Sequence, residues 1–217
     1  MRASEIDSEV TGVLLAGGRS SRMGGREKAL LDIGGKPMLL HVLARLRPQV
    51  GRIVLNANGD PARFSGQCLP VVPDSIEGYA GPLAGLHAGI EWAKAETPEA
   101  EFIASVPVDC PFLPLDLVAR LKAALVAKGA PCAIAASNGE RHPDAGLWRV
   151  ELAEALAESL KTNVRALHRF ADSQGSAVAD FGPVHIGDVQ IDPFFNVNAP
   201  ADLERARGLF ASESARG

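Results

Sequence analysis

The chain has 217 residues, a formal net charge of -4 at pH 7, and 22% charged residues with both signs interspersed. That length suits one sizeable core and one domain, and the charge balance leaves no basic face for nucleic acid and no polybasic membrane segment. No apolar run approaches the roughly 20 residues that span a bilayer, the opening MRASEIDSEV lacks the apolar core of a secretory signal, and Cys68, Cys110 and Cys132 form no CxxC pair that would point to a disulfide framework or zinc site; the cytoplasm is the expected compartment.

In chain order, strand-like apolar runs stand at 10–16, 52–58, 69–72, 102–108 and 131–136, each bounded by Gly, Pro, Asn or Asp. Helical patterns lie between them at 36–46, 83–94 and 114–127; the first carries Leu39, Leu40, Val42, Leu43 and Leu46 on one side. Such alternation implies parallel pairing through right-handed crossovers, hence a three-layer α/β/α open, mostly parallel sheet of Rossmann-like type. Reactive residues are then expected at the carboxyl ends of strands. From Gly139 the pattern changes to a strand at 144–149, helices near 151–160 and 163–171, a strand at 177–181, and a last helix after Asn198 with Pro200 early in it. The expected organisation is a single domain at 10–210, with a nucleotide-binding half at 10–138 and an acceptor-side half at 139–210; residues 1–9 form an extension and 211–217 a disordered tail.

The most informative segment is GVLLAGGRSSRMGGREK at 12–28, where an apolar strand empties into a glycine-rich, basic loop. Gly17, Gly18, Gly24 and Gly25 let the chain turn its N–H groups inward around an anion, and Arg19, Arg22, Arg26 and Lys28 surround the same turn with positive charge. Neither GxxxxGK[ST] nor GxGxxG fits, so a third kind of nucleotide loop is indicated. Lys28 is placed to reach back over bound phosphates as a catalytic cation, with Arg22 as the second phosphate contact; the bland alternatives are solvated side chains. Asp109, between an apolar strand and two prolines, is a fixed hard-oxygen ligand where Mg2+ would bridge protein and triphosphate. Its alternatives are a turn residue or a cap for the helix near Pro114, though that helix begins too far downstream for Asp109 to be its obvious cap.

Asp74, after the strand containing Val71 and Val72, and Asn56 with Asn58, after another, are candidates for ribose or base contacts, or else turn formers. A second polar cluster comprises His142-Pro143 and the segment 194–200, where Asn196 and Asn198 alternate with a core-facing Val197; helix capping is the alternative for Asn198. His41, His87, His168 and His185 are read as structural, and Cys110 as a small packing residue.

Taken in order, LLAGGRSSRMGGREK, PDSIEGYAGPLAGLHAGI, PVDCPFLP and FFNVNAPADL resemble the nucleotide loop, second segment, metal segment and terminal signature of the molybdenum cofactor guanylyltransferase family. The resemblance runs from Gly12 to about Leu203, and its first motif is shared with many nucleotidyltransferases. It implies a nucleotidyltransferase fold of the nucleotide-diphospho-sugar transferase type. The implied reaction is transfer of GMP from GTP to molybdenum-molybdopterin, with partners that deliver the pterin or receive the product. By resemblance, Leu15, Ala16, Gly17, Gly18, Lys28, Asn56, Asp74 and Asp109 contact the nucleotide, Asp109 also holds Mg2+, and His142, Asn196 and Asn198 serve the acceptor. Relatives that use CTP typically carry Ala-Gly where this chain has Gly17-Gly18, which favours GTP. Glu27 replaces the usual Asp, Cys110 the usual Thr or Met, and Asp144 an uncharged residue after His-Pro. Rival readings are a CTP-dependent relative, a sugar-1-phosphate nucleotidyltransferase, and a nucleotide-binding regulatory module without turnover.

Overall fold

The computed structural model describes residues 6–16, 27–76, 81–162 and 164–214. Its centre is a seven-stranded sheet of β1 (Asp7–Leu15), β4 (Val50–Asn56), β5 (Val71–Val72), β6 (Phe102–Pro107), β7 (Cys132–Ser137), β8 (Glu140–Arg149) and β9 (Ala177–Asp180), ordered β5-β4-β1-β6-β8-β7-β9. Every pairing is parallel except those of β8, which runs antiparallel to both β6 and β7.

Side chains alternate across each strand, so the central strands feed two cores. Val10 and Leu14 of β1 pack with α1 (Met38–Leu46) and α3 (Leu117–Lys128) on one face, whereas Val13 and Leu15 pack with α2 (Pro82–Glu96), α4 (Ala153–Lys161) and α5 (Leu167–Ser173) on the other. A third cluster, including Ile33, Phe112, Val197 and Phe210, joins two small hairpins to α6 (Pro200–Ser214). Those hairpins are β2 (Asp32–Ile33) with β3 (Lys36–Pro37), and β10 (Val184–Ile186) with β11 (Val189–Ile191). No helix among the described residues is long and apolar enough to cross a membrane.

Among the boundaries that differ from the expectations drawn on sequence, three have a clear cause in the contacts. β1 takes in residues 7–9 of the expected extension, because Lys122 of α3 pairs with both Asp7 and Glu9 and Glu101 donates its N–H to the Glu9 carbonyl. α6 continues past Ala211 to Ser214, and Leu209 and Phe210 on it are buried in the third cluster. β8 starts at Glu140 rather than 144, because Asn138 and Gly139, with φ of 51° and 79°, close a two-residue hairpin from β7. β8 and β9 therefore extend the same sheet.

Candidate active site

The register of the parallel strands fixes where the site lies. Val72, Asn56, Leu15 and Pro107 are lateral partners at the carboxyl ends of β5, β4, β1 and β6. Asp74 and Asp109 each follow two residues beyond that line, at opposite ends of it. Three strand spacings of about 4.8 Å put them roughly 14 Å apart, room for a nucleotide laid across the strand ends.

At the β6 end, Asp109 is held in place by its own main chain. Its carbonyl accepts the Val197 N–H at 2.9 Å, tying the strand end to the segment before α6. Lys28 opens a short helical turn at Lys28–Leu30 and reaches across to donate through Nζ to Asp109 Oδ2 at 3.1 Å and to Asn198 Oδ1 at 2.5 Å. The sequence placed both Lys28 and Asp109 at the phosphates of one triphosphate, and the structure brings them into direct contact. Burial pushes the Asp109 carboxyl above its ordinary range, and the Lys28 ammonium opposes that without cancelling it.

Asn198 thus belongs to this centre through its side chain. Its N–H, and that of Ala199, are covered by Asp202 Oδ2 at 3.0 and 2.8 Å, so Asp202 caps α6 and frees the Asn198 amide to hold Lys28. Asn196, two residues back, turns instead toward a cavity beside β8; Val197 between them is fully buried, as the alternation predicts.

At the β5 end, both carboxylate oxygens of Asp74 accept side-chain amides, from Asn56 Nδ2 at 3.1 Å and Asn58 Nδ2 at 2.7 Å. Asn58 Oδ1 in turn accepts the Asp74 N–H at 2.9 Å. The two asparagines therefore orient Asp74, and the carboxylate is the group of this trio best placed to accept from a ligand. Asn56 fits only because α2 carries Gly85 opposite it: an added Cβ there would lie 2.2 Å from Asn56 Oδ1 and 3.1 Å from Leu15 Cδ2. Gly85→Ala is expected to displace Asn56, lower stability by about 1–3 kcal/mol and weaken nucleotide binding about tenfold. Thermal unfolding and titration with a fluorescent GTP analogue check this, and an unchanged affinity would contradict it.

Leu15 and Ala16 bury their side chains; Leu15 accepts the Val108 N–H at 3.2 Å and Ala16 donates to Asn56 at 2.9 Å, so only their main chain borders the site. Gly17, Gly18 and Arg22, with Arg19, Gly24, Gly25 and Arg26, lie outside the described residues, as do Gly78, Tyr79 and Ala80. Cys110 is buried and donates to the Phe194 carbonyl at 3.5 Å, and burial raises its thiol well above the ordinary value, which suits packing rather than nucleophilic chemistry.

His142 sits half-buried on β8, stacked on Phe194 with ring centroids 4.6 Å apart. Its Nε2 meets Ser137 Oγ at 2.8 Å, and that hydroxyl lies 2.9 Å from both oxygens of Asp192. Asp192 also accepts from Asn138 Nδ2 at 2.6 Å and from the Phe194 N–H at 2.7 Å. Ser137 and Asp192 were not singled out from sequence; the Asn138-Gly139 turn signal was present and predicts the hairpin that brings Ser137 beside His142. Arg63 was missed too. It donates to the Asn58 carbonyl at 2.5 Å and pairs with Glu27 at 3.2 Å, bracing the approach to Lys28 against the Asp74 cluster, and nothing in its spacing marks it.

Comparisons with known proteins accord with this geometry. Residues 12–177 match the family described as the MobA-like NTP transferase domain. A molybdenum cofactor guanylyltransferase from Bradyrhizobium sp. (strain ORS 278) is 48% identical over 97% of each chain. One from Rhodopseudomonas palustris (strain BisB5) is 44% identical, covering 93% of this chain and 94% of that one. The crystal structure of molybdopterin-guanine dinucleotide biosynthesis protein A from Archaeoglobus fulgidus superposes with a TM-score of 0.70 at 19% identity, over 93% of this chain and 99% of that one, a likeness of fold.

Proposed function

The chain belongs to the molybdenum cofactor guanylyltransferase family, and from that premise we propose that it transfers GMP from GTP to molybdenum-loaded molybdopterin, releasing pyrophosphate. A terminal phosphate oxygen of the acceptor attacks the α-phosphorus of GTP. The bond from that phosphorus to the bridging oxygen breaks, and the electron pair leaves on pyrophosphate. The nucleophile is an anion near neutral pH, so the reaction needs alignment and charge neutralisation more than a strong base.

The observation that carries this reading is the meeting of Lys28, Asp109 and Asn198 at one strand end, brought together from 81 and 170 residues apart. Asn198 and Asp109 hold the ammonium at the rim where the phosphates of a nucleotide laid from Asp74 would end. Lys28 then neutralises charge growing on the leaving pyrophosphate, and main-chain groups at Leu15 and Ala16 border the nucleotide between the two ends. The acceptor is assigned to the other side of Asp109, along β8, with His142 and Asn196.

Asp109 fits as the protein's ligand to Mg2+. Among the described residues no group of three His, Cys, Asp or Glu side chains forms a ready-made metal cage. A single hard carboxylate completed by substrate phosphates and water suits this ion. When bound, Mg2+ supplies positive charge to the triphosphate and its leaving group.

The test is pyrophosphate release from GTP, Mg2+ and molybdenum-molybdopterin, run beside CTP and beside a sugar 1-phosphate acceptor. Release only with GTP and the pterin is expected. Release with CTP would move the chain to the cytidylyl relatives, release with the sugar phosphate would change the acceptor class, and GTP binding without release under any acceptor would make it a regulatory binder. Proteins that deliver the pterin or receive the product enter this reading as carriers of the acceptor and its product.

A further inference from the structure

Between Ala135, paired with His142, and Ile134, paired with Gly146, β8 carries three residues with no partner on β7: Pro143, Asp144 and Ala145. Proline cannot donate to the ladder, and bulges of this kind re-aim side chains beside active sites. The Asp144 carbonyl is fixed by the Ser105 hydroxyl at 3.1 Å, which itself accepts from Trp148 Nε1 at 2.8 Å. The bulge therefore has a rigid base, and it sets Asp144 into a cavity of about 430 Å³ shared with His142, Asp192, Asn196, Phe194 and Cys110.

The hydrogen-bonding character of that cavity follows from its partners. No described residue donates a hydrogen bond to the Asp144 carboxylate, and His168 acts on it only through its charge. The Oδ1 of Asn196 is buried with no hydrogen-bond partner among the described residues. Ser137 has one hydroxyl proton, and the two Asp192 oxygens at 2.9 Å claim it, so His142 Nε2 must carry the proton of their 2.8 Å contact. In the neutral ring Nδ1 is then an acceptor, and burial favours the neutral ring by lowering the His142 pKa. Arg141, also at the cavity, is turned to Asp172 at 2.7 Å. What remains is a set of acceptors beside stacked rings, waiting for a flat ligand that offers several N–H groups.

We propose that Asp144 is the specificity-determining residue of the acceptor site, its carboxylate taking the paired ring N–H and exocyclic amino donors of a 2-amino-4-oxopteridine. Asp192 and Ser137 are positioning residues that hold His142 in one tautomer. The inference rests on the proposed function for its choice of ligand. Within that choice it is specific, because two donors side by side match two carboxylate oxygens, and a charged acceptor makes the stronger hydrogen bonds. Guanine carries the same donor pair, but the proposed function lays the nucleoside toward Asp74, three strands away from Asp109 along the sheet.

The experiment compares wild-type protein with Asp144→Asn, and with Asp144→Ser should the first variant fail to fold. Binding of pterin is measured by its fluorescence against lumazine, which has an oxo group in place of the amino group, and GTP is compared with inosine triphosphate. The wild type is expected to favour pterin about tenfold, and the variants to lose that preference while keeping their discrimination of GTP from inosine triphosphate. KM for molybdenum-molybdopterin should rise about tenfold with a smaller change in kcat. Variants that keep the pterin preference while the wild type makes dinucleotide would overturn the inference alone, as would a shift in guanine discrimination instead. A wild type that neither binds pterin nor makes dinucleotide would overturn the proposed function with it.

Discussion

Asp109→Asn is expected to lower dinucleotide formation by about a hundredfold to a thousandfold, the scale of removing one fixed electrostatic group from a reacting centre, and at the same time to make the protein more stable. The two effects share one cause. The Asp109 carboxyl is held above its ordinary range by burial, with Lys28 only partly offsetting that. Its folded pKa is therefore higher than its unfolded one, so ionising it near neutral pH opposes folding. That penalty is full above the folded pKa and fades as pH falls toward the unfolded value. The stability gain of the asparagine variant, measured by thermal unfolding in EDTA, should accordingly be present near neutral pH and disappear in acid. A variant that retains turnover, or one whose stability falls near neutral pH, would show that Asp109 is structural.

Lys28→Met should also cost about a hundredfold in rate, but with the opposite effect on stability. Methionine fills the space of the side chain and leaves Asp109 buried without its counter-charge. The ammonium is what offsets the burial cost of that carboxylate, so removing it leaves the cost in full. Because both side chains keep some exposure, 19% and 16%, the loss should be about 1–3 kcal/mol. The double variant Lys28→Met with Asp109→Asn should recover that stability and none of the activity, since the uncompensated charge is gone while the reaction centre is empty. Denaturant unfolding of the four proteins closes the cycle. Additive changes of stability across the two single variants would mean that the pair does not interact as the 3.1 Å contact indicates.

Asp144 adds a graded case of the same conflict. Burial, and then the negative charge of Asp109, push its carboxyl up to about 6, against a lowering by His168. Its ionised form is thus disfavoured by the fold near neutral pH and is available to be stabilised by a donor ligand. A carboxylate kept where it weakens the fold is understandable if a ligand is what completes it.

The alternation of apolar runs and helical patterns determined the three-layer architecture, because the period of the apolar residues is a local property that decides strand or helix before any packing is known. The same reasoning located Asn56, Asp74 and Asp109 at strand ends and Lys28 just after the loop that follows the first strand, and it anticipated the alternation of Asn196, Val197 and Asn198. Pairing partners were another matter. That Lys28 would rest on Asp109 and Asn198 depends on sheet order and on the hydrogen bond from Val197 to Asp109, which join segments far apart in the chain. The antiparallel course of β8, its three-residue bulge and the contact of Ser137 with Asp192 came from register, and a strand's own residues do not state which neighbour it will face or where the ladder will slip. Sequence alone determined which chemistries stand at the rim of this sheet. Only the tertiary structure decided which of them share a charge, which share a cavity, and which are occupied in holding another in place, because those are distances between elements and the chain encodes them through packing.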